Sequence, residues 1–295
     1  MAFDSAYEAI TEETDTGHRW AFGTGFTDPL AGVEASVPDG VDGADLATYC
    51  LMLGDDALIM SHRLQQWLAK APELEEETAL ANIALDLLGQ ARLLLTRAGQ
   101  ADGTGRTEDD FAFGRAEREF RNVRLAELID ADFGELVGRL LVFSTWRLSH
   151  SERLRMSCDP VLAAIAGQSV KELTYHRDYA AQWVIRLGDG TGYSRERVQA
   201  GLAAVAPFTA ELFEPSAVEQ RLAQAGVAVD PAALRAEFDD VIAEVLTAAG
   251  LDWPQAPVVA RGSGQAGREG VHTEAMGYLL AELQTLARAL PGATW

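Results

Sequence analysis

From Ala44 to about Leu187 an apolar residue returns every three or four positions, and no strand-length run with period-two alternation interrupts the pattern. That periodicity commits the chain to helices. In ADLATYCLMLGDDALIMSHRLQQWLAK the positions Leu46, Tyr49, Leu53, Ala57, Met60, Leu64 and Trp67 make one buried stripe, which predicts a long helix ended by Pro72. The next helix opens at Glu73, Glu75, Glu76 and Glu77, where acidic side chains favour the positive end of the helix dipole, and closes near Arg97 and Gly99. Its middle, ALANIALDLLGQARLLL, is apolar nearly all round, so it is expected to be the most buried helix of the set. A polar loop, GQADGTGRTEDD, leads to a shorter helical stretch around GRAEREFRNVRLAEL. Two more long helices are predicted, one from Asp132 to Met156 and one capped by Asp159 with Pro160 in its first turn. Four long helices make an all-α four-helix bundle the expected architecture. Additional C-terminal helices are predicted over 194–213, 216–224, 231–249 and 274–290, with the Pro/Gly-rich stretch LDWPQAPVVARGSGQAGREG before the last of them.

Composition divides the 295 residues in two. Residues 1–43 carry nine carboxylates against Arg19, broken by glycines and prolines, and read as a flexible acidic N-terminal extension. Trp20, Phe22 and Phe26 keep open the alternative that it docks as a clip. Residues 44–295 form the helical domain. A formal charge of −21 argues against a nucleic-acid partner, which requires clustered Lys and Arg. There is no run of 18 apolar residues, and MAFDSAYEAITEETD has neither the basic nor the apolar region of a secretion signal, so no membrane association and a cytoplasmic location are expected. Cys50 and Cys158 are read as packing residues.

Bundles of this size commonly hold di-iron centres, which require a Glu on each of two helices and Glu-x-x-His on each of the other two. The long helices lack that pattern. Steps of three on the second helix read Asn82 to Leu85 and Asp86 to Gly89; on the fourth, Glu172 and His176 stand four apart beside Lys171. We read Asp86, Lys171, Glu172 and His176 as a vestigial polar core rather than as metal ligands. Glu269 and His272 do have the spacing, but they sit in the Gly-rich linker. No nucleophile elbow, phosphate loop or dinucleotide fingerprint occurs, so no catalytic residue is assigned.

One feature departs from the acidic background. Arg115, Arg118, Arg121 and Arg124 recur every third residue in GRAEREFRNVRL and, on a helix, would wind as a ridge. Two readings stand: pairs four apart, Arg115 with Glu119 and Glu117 with Arg121, or a contact surface for an acidic partner or a coenzyme's phosphates.

The stretches LMLGDDALIMSHRL, APELEEETALANIALDLLGQAR, KELTYHRDYAAQWVIRLGDGT, FTAELFE, GVAVDPAALRAEF and GREGVHTEAMGYLLAELQTLARALPGATW, in this order from Ala47 to the end, resemble the C subunits of multicomponent phenylacetyl-CoA ring-1,2-epoxidases. The resemblance implies a ferritin-like helical bundle and a non-catalytic structural subunit that supports a di-iron catalytic subunit, the chain that epoxidises the aromatic ring of phenylacetyl-CoA in aerobic phenylacetate catabolism. The alternative is a di-iron oxygenase with an atypical ligand set. No cofactor is expected in this chain: the di-iron centre belongs to the catalytic partner, and flavin, iron-sulfur and NADPH to a reductase partner. The resemblance also places substrate-side contacts, at the boundary with the catalytic chain, on Glu119, Phe120, Arg121 and Asn122 and on Gln220, Arg221 and Leu222. The acidic extension has no counterpart in the shorter family pattern.

Overall fold

The structure, a computed structural model, describes residues 30, 32–255, 266–291 and 293. By its contacts the chain divides between Gly32 and Val33, and every helix described below belongs to residues 33–295. The second unit thus begins at Val33, eleven residues before Ala44, where the helical domain was expected to start. Val33 to Asp42 are held by specific hydrogen bonds rather than by apolar periodicity: the Arg97 guanidinium binds the carbonyls of Ala35 and Ser36, and Asp42 caps the first helix. Trp20, Phe22 and Phe26 lie outside the described residues.

Helix α1 spans Gly43–Gln65 and α2 Leu74–Ala101. The first ends seven residues before Pro72, its tail relaxing into turns through Lys70. Short helices α3 (Glu108–Gly114) and α4 (Arg124–Glu127) interrupt the connection to α5 (Phe133–Leu154) and α6 (Pro160–Gly188). Asp132 and Asp159 cap α5 and α6 with side chains that accept from Glu135 N and Leu162 N. Then come α7 (Gly192–Val205), α8 (Ala217–Gln224), α9 (Arg235–Ala249) and α10 (Glu274–Ala289), with 3₁₀ turns between them. Among the described residues no strand occurs.

The bundle is a ferritin-like pair of antiparallel hairpins, α1/α2 and α5/α6. Tyr49, Leu53 and Met60 of α1 meet His150, Arg147 and Arg139 of α5, so those helices also run antiparallel. The same holds for α2 and α6, where Asp86 and Gln90 meet His176 and Glu172. With every neighbour antiparallel, α2 and α5 point the same way. Residues 102–132 must therefore travel the length of the bundle, the one long crossover of this architecture, and they do so along α1.

Burial corrects one expectation. Helix α2 buries fewer than half of its 28 residues, whereas α5 buries all but a few of its 22. Helix α5 is wrapped by α1, α6, α7 and α9; the outer side of α2 has no neighbour of that kind among the described elements. Helix α2 is long and apolar enough to cross a membrane by length and composition, and here it packs on α1 and α6 as a bundle helix.

Candidate functional site

Two polar clusters are built into the bundle. The first surrounds Asp55 and Asp56, consecutive residues on α1 that are both 0% exposed. A buried charge costs several kcal/mol unless paired and hydrogen-bonded, and here the crossover and the segment before α10 supply the partners. Arg115 forks onto Asp55, and Arg121 N donates to Asp55 Oδ2 at 2.8 Å. Arg268 forks onto Asp56 at 2.9 and 3.0 Å, Val123 N donates to Asp56 Oδ1 at 2.8 Å, and Arg147 lies 3.8 Å away. Arg124 pairs with Glu211 at 2.8 Å, and Glu211 also accepts from Gly267 N. Burial works against the charge of Arg268, but the carboxylates of Asp56, Glu219 and Glu211 hold its pKa above the ordinary arginine value. Beyond this cluster, Glu127 and His272 form a fully buried pair at 3.2 Å, with the Glu127 carboxyl raised by burial.

This geometry replaces the arginine ridge. Arg115, Arg118, Arg121 and Arg124 do not share a helix: the backbone is extended at Arg115 and Phe120, with one 3₁₀ turn over Glu117–Glu119 between them. The reason is local competition, since the amides of Arg121 and Val123 serve aspartate carboxylates and are withdrawn from helix bonding. Neither expected pair forms: Arg115 takes Asp55, and the Arg121 guanidinium donates to the carbonyls of Arg118 and Phe120.

The second cluster lies in the seam between α2 and α6. His176 Nε2 is 3.0 Å from Asp86 Oδ2, while Glu172 accepts from Gln90 Nε2 at 2.9 Å and Gln168 Nε2 at 3.2 Å. Burial, then the neighbouring Asp86, raises the Glu172 pKa against the pull of Gln90. Of the four residues assigned to a polar core, Asp86, Glu172 and His176 come together; Lys171 is exposed on the outer side of α6 and is not part of it. Gln90, which the sequence pattern did not single out, takes its place. Its signal was a glutamine four residues after Asp86 in an otherwise apolar run.

A match to the sequence model of the phenylacetic acid catabolic protein family runs over residues 35–295. The chain belongs to that family. It is similar to the C subunit of 1,2-phenylacetyl-CoA epoxidase from Escherichia coli (strain K12), with 42% identity over 250 residues that cover 85% of this chain and 99% of that protein.

The ferritin-like fold raises the question of a di-iron centre, and the residues present do not fit one. At the level of the second cluster, α1 is anchored to α2 by the Ser61 hydroxyl on the Ala84 carbonyl, and its sequence there is Ala57, Leu58, Ile59, Met60. The facing part of α5, fixed by the bonds of Arg139 and Arg147, reads Leu140, Leu141, Val142, Phe143. Two of the four helices thus bring hydrocarbon where a di-iron set needs carboxylates. The α1 carboxylates, Asp55 and Asp56, are held by guanidinium groups on the crossover side. Among the described residues no three His, Cys, Asp or Glu side chains converge in ligand geometry. The Glu269-x-x-His272 spacing is also spoken for: Glu269 accepts from Ala266 N and His272 faces Glu127.

The seven residues with implied substrate contacts fall into two places. Phe120 is buried beneath the Arg115 guanidinium, 4.1 Å from its ring centroid, and Asn122 and Leu222 are buried as well. Glu119 bends back to accept from Ala116 N. Arg221 is exposed and forks onto Asp45 at 2.6 and 2.7 Å, and Gln220 is exposed beside it. The first segment meets α1 at Asp55 and the second at Asp45, ten residues earlier, about 15 Å along the helix axis.

Proposed function

We propose that this chain is the non-catalytic structural subunit of a phenylacetyl-CoA epoxidase, supporting a di-iron catalytic subunit that epoxidises the aromatic ring in phenylacetate catabolism. The observation that carries this reading is the hydrocarbon of α1 and α5 opposite Asp86 and Glu172, set beside the match to an epoxidase subunit over nearly the whole of that protein. On this reading the chain needs no cofactor: iron belongs to the catalytic partner, and flavin, iron-sulfur and NADPH to the reductase. Contact with phenylacetyl-CoA, where it occurs, comes from the cations that reach the surface of the two segments, Arg121 and Arg221, a guanidinium being suited to phosphate. The place of work is the cytoplasm. The test is co-expression with the di-iron subunit, followed by size exclusion and iron analysis. The expected result is a mixed complex whose iron follows the partner, with none retained by this chain when purified alone; two iron atoms per isolated chain would overturn the reading.

A further inference from the structure

Every carbonyl from Arg118 to Asn122 is met by a group from another part of the chain. Arg115 Nη1 donates to Glu119 O at 3.2 Å, Arg268 Nη1 donates to Arg121 O at 2.7 Å, and His272 Nε2 lies 3.2 Å from Phe120 O. The other two carbonyls meet glycines. A Cβ on Gly267 would clash with Asn122 O, and one on Gly270 with Arg118 O, so backbone packs on backbone at both places. Residues 266–272 are fixed in their turn, with Gly267 N donating to Glu211 and Ala266 N to Glu269.

Gly270 answers two demands at once. Its φ of +77° is in the left-handed region, and its lack of a side chain admits Arg118 O. The second demand reaches the side chain of Arg121. Arg121 Nη1 donates to Arg118 O at 2.7 Å and to Phe120 O at 2.9 Å, and a Cβ on Gly270 would lie 3.0 Å from that same nitrogen. Because both bonds run through Nη1, the Nε and Nη2 edge of the guanidinium meets no acceptor among the described residues. That edge is the fork suited to a phosphate.

A long side chain held before its ligand arrives loses less freedom on binding, and it stays held only if its own acceptors cannot move. Arg118 O and Phe120 O meet that condition, pinned by Gly270 and His272. We propose that Gly270 is a positioning residue that aims the Arg121 guanidinium at an anionic group of phenylacetyl-CoA in the assembled epoxidase. Gly270 is buried and acts only through Arg121. The proposal rests on the reading that Arg121 meets the substrate, and it adds what sets the direction of that contact.

The test is a double-mutant cycle on the assembled epoxidase, with KM and kcat for phenylacetyl-CoA measured in Arg121→Ala, Gly270→Ala and the double variant. Arg121→Ala should raise KM about tenfold with kcat held. Gly270→Ala should raise KM by a similar factor, since the added Cβ displaces both the guanidinium nitrogen and the carbonyl that holds it. On the Arg121→Ala background it should add less than about twofold, and both single variants should weaken the salt dependence of KM. Gly270→Asn separates the clash from the backbone angle, because asparagine tolerates the left-handed region. It should raise KM as Gly270→Ala does with a smaller loss of Tm, and it carries the cycle where Gly270→Ala does not fold. A merely structural glycine would lower Tm and leave the KM of the assembled enzyme at the parent value, which overturns the proposal. A KM effect that persists undiminished without Arg121 overturns it as well. If Arg121→Ala leaves KM unchanged, the substrate contact and this proposal fall together; if it raises KM while both Gly270 variants do not, only this proposal falls.

Discussion

The pair Asp55/Asp56 and the pair Asp86/Glu172 use the same chemistry on neighbouring helices and meet opposite fates. Around the first, three guanidinium groups and two backbone amides from other parts of the chain close on the carboxylates, which are 0% exposed. Around the second, amides and one imidazole meet the carboxylates, and the Asp86 side chain stays 36% exposed. The first cluster therefore serves to hold the crossover in place. The second joins α2 to α6 and stays open to solvent on one side.

If that contrast holds, the largest effect belongs to Asp56. Replacing it with alanine leaves Arg268 and Arg147 buried without their carboxylate and takes the acceptor from Val123 N, for an expected loss of about 3–5 kcal/mol. Urea denaturation measures it. A loss below about 1 kcal/mol would mean that water enters this cluster freely, and the two regions would no longer differ in kind.

Glu172 gives a smaller effect of the opposite sign. Its pKa in the folded chain is raised above the ordinary 4.5, by burial first, so the folded state holds the proton more tightly than the unfolded one. Stability contributed by this group is present below pH 4.5 and is lost as pH rises through the raised value. Glu172→Gln should thus raise the Tm of the isolated chain at pH 7, with the advantage shrinking as pH falls toward 4.5. His150 titrates the other way: burial and the charge of Arg147 push its pKa well below 6.5, so stability falls as the unfolded chain becomes protonated in acid. Parent and variant share that dependence, and the difference between them isolates Glu172.

The long helices and most of their ends were legible because apolar spacing and caps are local signals: Asp159 and Asp230 stand at N-caps, whereas α7, expected to open at Ser194, is capped by Thr191. Two failures share a cause. Apolar content marked α2 as the most buried helix, but periodicity records only what a side chain prefers, not whether a neighbour exists to cover it. The arginine repeat looked helical because side-chain spacing was visible while the demand of Asp55 and Asp56 for backbone amides, from more than 60 positions away in the chain, was not. Within the polar core, four-residue spacing found Glu172 and His176, and the charge of Lys171 was wrongly counted in because its direction from the helix axis cannot be seen in a list of neighbours.

The smallest effect on stability, and the one that bears most on substrate, concerns Arg221. Its guanidinium is exposed and shares Asp45 through two short bonds, and the contact lowers the Asp45 pKa. Exposed pairs of this kind contribute little to folding, so Arg221→Ala should leave the Tm of the isolated chain nearly unchanged. If Arg221 turns from Asp45 to a phosphate of phenylacetyl-CoA in the assembled epoxidase, the variant should raise KM with kcat held, and the salt dependence of KM should weaken. If it serves only as a surface pair, KM and assembly both stay at the parent values.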